Sequence, residues 1–256
     1  QPSLDDGTNW LKTDFLNIIA INALKEKPNR NLLINGNFDI NQRAVSGTVT
    51  LGVYGHDRFK GGASGATYTF AKSANVTTLT ITAGSLIQDV EGLSLFSGTY
   101  VLSFDGTSQG KIGGGSFAAS GVTGSITGGT NTSIEFNAGT ISKVQLEKAL
   151  IKTDFEILPF SDNLIICQRY YQVLTWNKTG YYDVGSSYNL EDTFNCNTHM
   201  RVSPSGTLIN ITNVNPSVAT TSVGSLRPTG FSIVWATAGG TGPFICSGSI
   251  ILNSEI

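Results

Sequence analysis

Apolar and polar residues alternate with a period of two through much of this chain. "ATYTFAK" (66–72), "VTTLTIT" (76–82), "TYVLSFD" (99–105) and "GTISKVQLE" (139–147) each put every second side chain on one face, the pattern of half-buried strands. Between them stand "GGASG", "GTSQG" and "GGGS", clusters of turn formers. About eight to ten short strands between Asn31 and Phe160 describe a β-sandwich or jelly roll. After residue 175 the rhythm resumes in "GTLINIT", "FSIVWAT" and "SGSIILN", with Gly, Pro and Asn between. The fold class expected is therefore all-β, a jelly-roll β-sandwich followed by a smaller C-terminal β domain.

Two stretches break the period. In "GTNWLKTDFLNIIAINALKEK", Leu11, Phe15, Ile18 and Ile19 recur at helical spacing, Ile21 and Leu24 widen the stripe, and Pro28 ends it. So broad an apolar stripe must pack on something, either its own domain or copies of itself about an oligomer axis. In "SDNLIICQRYYQ", Ser161 or Asp162 is placed to cap a short helix carrying Leu164, Cys167, Gln168 and Tyr171. The expected organisation is an N-terminal helical segment (1–30), a jelly roll (31–160), a linking helix (161–175) and a C-terminal β tip (176–256). The small core of the tip favours an oligomer.

Composition narrows the function. Charged residues are 13% of the 256 and net charge is −2, with 16 scattered Lys and Arg. A nucleic-acid surface needs clustered cations, so that partner is not expected. No apolar run approaches the roughly 18 residues of a membrane span, so no membrane insertion is expected. The chain opens on Gln1 with no signal-peptide pattern, as a piece of a longer protein would. Cys167, Cys196 and Cys246 have neither disulfide-framework nor zinc spacing and read as buried free thiols, which suits folding in a reducing cytoplasm.

The densest specification lies in "NLLINGNFDINQR" (31–43) and "YGHDRF" (54–59), read as an entry strand, an Asn35-Gly36 turn and a step carrying Asp57 and Arg58. Asp39, Arg43, Asp57 and Arg58 are candidates for a polar network tying the first strand to the second. "ISKVQLEKALIKTDFEILPFSDNLIICQRYYQ" (141–172) adds a closing strand, a Thr-x-Phe-Glu tail and a C-Q-R-Y-Y segment. Together these blocks resemble the carbohydrate-binding-module-like modules of bacteriophage tail fibres and related receptor-binding proteins. The resemblance implies a homotrimeric, elongated virion component, made in the host cytoplasm and joined to other tail components through its N-terminal side. It would attach to host cell-surface polysaccharide, lipopolysaccharide or capsule.

Catalysis has little support in the sequence. His56 and His199 are far apart, and His56 and Asp57 on one strand would face opposite ways. No nucleophile elbow or metal-ligand cluster is present, so neither metal nor cofactor is expected. Asp39, Asp57, Asp89 and Glu91 leave a polysaccharide-degrading enzyme as one alternative. A spacer whose tip binds an outer-membrane protein is another. Binding fits "YYQVLTWNKTGYYDVGSSYNLEDTFNCNTH" (170–199) better, because it mixes aromatic rings with amides and hydroxyls. Tyr170, Tyr171, Trp176 and Trp235 are expected in the core. Tyr181, Tyr182, Asp183 and Tyr188, in a Gly/Ser/Asn-rich loop, are the candidate receptor-binding residues.

Overall fold

The computed structural model describes residues 29–184, 189–214, 218–237 and 240–256; the expected N-terminal helix lies outside them. The described chain is all-β and antiparallel, with one α-helix. It divides into two compact units. The first comprises residues up to Phe38, Ser46–Val53 and Lys60–Ile157; the second takes Asp39–Val45, Tyr54–Phe59 and Leu158–Ile256. Two short internal pieces of the region assigned from sequence to the jelly roll thus belong to the second unit, as do its last three residues and the helix assigned as a linker.

In the first unit the strands are β1 (Gly47–Val49), β2 (Lys60–Ser73), β3 (Val76–Val90), β4 (Gly98–Asp105), β5 (Gly110–Ile112), β6 (Val122–Ile126), β7 (Thr132–Phe136) and β8 (Gly139–Glu147). They run in the order β1-β2-β3-β8-β4-β6, with β7 joined to β3 and β5. Long strands change partners midway. Leu79–Ile81 of β3 pair with Gly139–Ile141 of β8, whereas Leu86–Val90 of β3 pair with β7. Such switching folds the sheet over a core that includes Tyr68, Leu79, Leu86, Leu102, Phe136 and Ile141. Phe104 and Phe136 meet edge to face at 5.4 Å.

The expected entry strand at Asn31–Arg43 is instead a turn-rich segment. Asn35 and Phe38 have φ of 61° and 54°, which no regular strand admits. Side chains replace a ladder here. The Gln88 amide donates to Ile34 O (2.8 Å) and accepts from Ile34 N (2.7 Å), and Asn31 Oδ1 accepts from Leu33 N and Leu146 N. Gly36 is required by close approach, since a Cβ there would lie 2.4 Å from Val144 O.

The second unit contains helix α1 (Phe160–Gln168), then β9 (Tyr171–Val184), β10 (Asn189–Asn195), β11 (Ser205–Val214), β12 (Val218–Arg227), β13 (Gly230–Thr237) and β14 (Gly240–Asn253). The helix is shorter than expected. Pro159 stands at its N-cap with no side-chain cap bond, and Tyr171 already opens β9. Two three-stranded sheets, β10-β13-β12 and β11-β14-β9, face each other across one core. Trp176, Phe244, Cys246, Ile250 and Leu252 from one sheet meet Phe231, Ile233 and Trp235 from the other. Trp176 and Trp235 are edge to face at 5.7 Å, and Phe194 stacks on Phe231. Tyr170, Tyr171, Trp176 and Trp235 are all buried, as the sequence suggested.

Candidate functional site

Arg43, Asp57 and Arg58 do form a network, but inside the second unit and not between two strands. Arg43 donates to Asp57 Oδ1 (2.9 Å) and to Glu255 Oε1 (3.2 Å), while its guanidinium lies 3.6 Å from the Tyr171 ring centroid. Arg58, 1% exposed, pairs with the other oxygen of Glu255 and stacks at 3.6 Å on Tyr170. Asp57 also accepts from Gln42 N (3.0 Å), and the Tyr54 hydroxyl donates to Ile256 O (2.7 Å). Each planar cation therefore stacks on a tyrosine ring, and the two share one carboxylate, a geometry suited to Arg and not to Lys.

The electrostatics follow burial. Desolvation raises the Asp57 pKa despite its bonds from Gln42 and the nearby Arg43 charge. Burial works to lower that of Arg58, yet the Glu255 carboxylate, Tyr170 and Tyr54 outweigh it and the net shift is upward. Burial pushes the Cys167 thiol well up, so it is no nucleophile. His56 is buried and its pKa is lowered to about 4, again by desolvation. It sits with Asp57 in a bend, not on a strand, and it shares the second unit with His199, whose Nδ1 lies 2.9 Å from Met200 O. This knot is architecture: its groups are consumed by one another and closed to solvent.

Glu255 is the member that sequence reasoning missed. It stands in "NSEI", which has no pattern, and only the position of β14 brings it under both arginines. Among the described residues no three His, Cys, Asp or Glu gather as metal ligands, and no helix is long and apolar enough to cross a membrane. Asp57 and Asp89 have separate cationic partners: Asp57 is held by Arg43, and Asp89 by Lys60 with the Ser133 hydroxyl. The three cysteines are free; Cys167 and Cys246 are buried, whereas Cys196 is only partly so.

The open chemistry of the second unit lies on the outward face of the β11-β14-β9 sheet. Strand alternation sends Trp176 into the core and leaves Thr175, Asn177, Thr179 and Tyr181 facing out. Ser249 and Ser247 of β14 stand opposite Thr175 and Asn177. On β11 the register slips between Ile209 and Thr212, and Asn210 adopts φ 53° in that bulge. Thr175, Asn177, Asn210, Ser247 and Ser249 thereby line a groove of about 480 Å³ whose floor is Gly248, with Trp176 beneath. A Cβ at Gly248 would come 2.9 Å from the indole, so glycine lets the ring cross under the strand. Every group in this groove is uncharged, and amides and hydroxyls both donate and accept.

Of the residues singled out from sequence, Tyr181 borders this face. Tyr181, Tyr182 and Asp183 are not in a loop; they end β9, opposite Pro243, Gly242 and Thr241. Tyr181 is 69% exposed, on the groove's side of the strand. The side chains of Tyr182 and Asp183, and Tyr188 as a whole, lie outside the described residues. Comparison with known protein families, characterised proteins and solved structures finds no match to this chain.

Proposed function

We propose that this chain is a non-enzymatic receptor-binding module of a bacteriophage tail fibre, working as a homotrimer that attaches the virion to glycan on the bacterial surface. The observation that carries the reading is the uncharged groove of Thr175, Asn177, Asn210, Ser247 and Ser249, with Tyr181 exposed on the same face. A neutral array of donors and acceptors beside an aromatic ring suits a saccharide, whose hydroxyls need both and whose C–H faces pack on rings. Thr175 to Tyr181 spans about 20 Å at the rise of a strand, room for several sugar units. The fit with the tail-fibre resemblance lies in Asn31–Arg43, Tyr54–Phe59 and residues 141–172, whose polar groups form scaffold and leave recognition to the sheet face.

The test is binding of the purified protein to a glycan array and, in parallel, to outer-membrane proteins. Tyr181→Ala and Asn177→Ala should each weaken glycan binding by about 1–3 kcal/mol with the melting temperature unchanged. Retention on outer-membrane protein with no glycan signal would overturn the reading.

A further inference from the structure

The described residues begin at Asn29, and the chain there is fastened to a strap that follows β8. Asn29 N and Asn31 N donate to the two carboxylate oxygens of Glu156 (2.6 and 2.8 Å). Arg30 donates to Thr153 Oγ1 (3.0 Å) and to Asp154 O (2.7 Å). The strap is itself anchored by two buried side chains. Glu147 accepts from Thr153 N and Thr153 Oγ1 (both 2.8 Å), and Gln145 Oε1 accepts from Glu156 N (2.8 Å). The Thr-x-Phe-Glu block (153–156) thus fixes the point at which residues 1–28 join the first unit.

Three large apolar side chains flank that point and stand in water: Leu150 at 75%, Ile151 at 77% and Ile157 at 84% exposed. Single exposed apolar residues are ordinary, but these are grouped. Ile157 follows Glu156 directly, and Leu150 and Ile151 precede Thr153 by three and two residues. At about 3.8 Å between Cα atoms, each lies within about 11 Å of a residue that grips Asn29 or Arg30.

The segment that joins here carries matching chemistry. Read as a helix, at about 100° per residue, it puts Leu11, Phe15 and Ile18 in one narrow band. Ile21 and Leu24 turn about 60° and 120° away from Ile18 on one side, so one flat contact cannot cover both sets. Pro28 ends the pattern immediately before Asn29, and Leu24 lies five residues from Asn29, a reach of at most about 17 Å. So short a tether holds Leu24 near the strap at a roughly millimolar effective concentration, which a second copy at micromolar concentration does not match.

We propose that Ile21 and Leu24 dock on Leu150, Ile151 and Ile157 of their own chain, and that Leu11, Phe15 and Ile18 are left to meet other copies. The docking rests on the fixed position of Asn29 and stands apart from the glycan reading.

Photocrosslinking of the whole chain, with benzoylphenylalanine in place of Leu24, tests this. Refolding light- and heavy-nitrogen copies together before irradiation separates bonds within a chain from bonds between chains. Mass spectrometry of the digested product should place the crosslink within residues 150–157 and on the same copy. Ile157→Glu, at an exposed position outside the core, should cut that yield about tenfold, because docking would then bury an unpaired carboxylate. Its sedimentation should match that of the parent. Crosslinks mainly between copies, crosslinks that avoid residues 150–157, or a full yield from Ile157→Glu would each overturn the proposal. So would a fall in the mass of that variant toward monomer, because a second copy would then be what covers the strap.

Discussion

Glu255 shows how much can rest on one side chain. It faces Arg43 and Arg58 together, both almost wholly out of water. A buried ion cluster is tolerated only while each charge keeps its partners, so removing the shared anion strands two cations. Glu255→Ala should cost roughly 3–5 kcal/mol by urea denaturation of the second unit. A loss under about 1 kcal/mol would mean that water already compensates the cluster. His56 adds a pH dependence. Its folded pKa of about 4 lies below the ordinary 6.5, so the unfolded chain binds the extra proton first. Stability from this group is therefore complete above pH 6.5 and falls as pH drops toward 4, by up to about 3 kcal/mol. Asp57 acts the other way at the acid end: its raised pKa means that protonation relieves a buried charge. Denaturation midpoints at successive pH values should decline between 6.5 and 4 in the parent and stay flatter in His56→Gln.

Elements repeat the lesson at longer range, through glycine and register. Gly248 faces Trp176 across the β9–β14 ladder, and an added Cβ would push the indole out of the core. Gly248→Ala should lower stability by about 1–3 kcal/mol as overpacking does, and should distort the outward groove with it. Calorimetry and glycan titration on the same variant would check both. Strand existence was legible from alternation: β8 begins and ends where "GTISKVQLE" does, and β13 and β14 contain the apolar runs read from sequence. Strand length was not. β3 runs to Val90, past Gly84 at φ 70°, because its irregularity is taken up against neighbouring β2 and its last five residues pair with β7, which is distant in sequence. Tyr181 was placed in a loop because Gly, Ser and Asn crowd residues 177–188, yet pairing with β14 over 14 positions keeps that end of β9 extended. Asn31–Arg43 erred in the opposite direction. Its apolar residues mimic a strand, and only long-range bonds from Gln88 and Asn31 reveal a turn. The groove was invisible for a related reason: Thr175, Ser247 and Asn210 are commonplace residues on three strands, gathered only by register.

Assembly is the question at the scale of the whole molecule, and the proposed trimer makes a quantitative demand on it. The first unit leaves Leu93, Phe96, Leu150 and Ile151 largely in water, with Leu93 at 93%. These exposed side chains are one candidate contact of the proposed trimer, and each one covered would contribute about 1.5–3 kcal/mol. The apolar stripe of Leu11, Phe15, Ile18 and Ile19 is the other candidate for the contact, outside the described residues. Sedimentation at micromolar concentration should give a trimer. Leu150→Ser with Ile151→Ser, or removal of residues 1–27, should shift the mass toward monomer according to which surface lies in the contact. A single groove of uncharged groups binds weakly, so three on one body should raise attachment to a glycan-coated surface by about 10²–10⁴ over the monomer. The monomeric variant should accordingly lose that factor on whole cells while its affinity for soluble oligosaccharide stays unchanged. If the parent sediments as a stable monomer and still holds cells tightly, multivalency is not the mechanism, and one high-affinity site must do the binding.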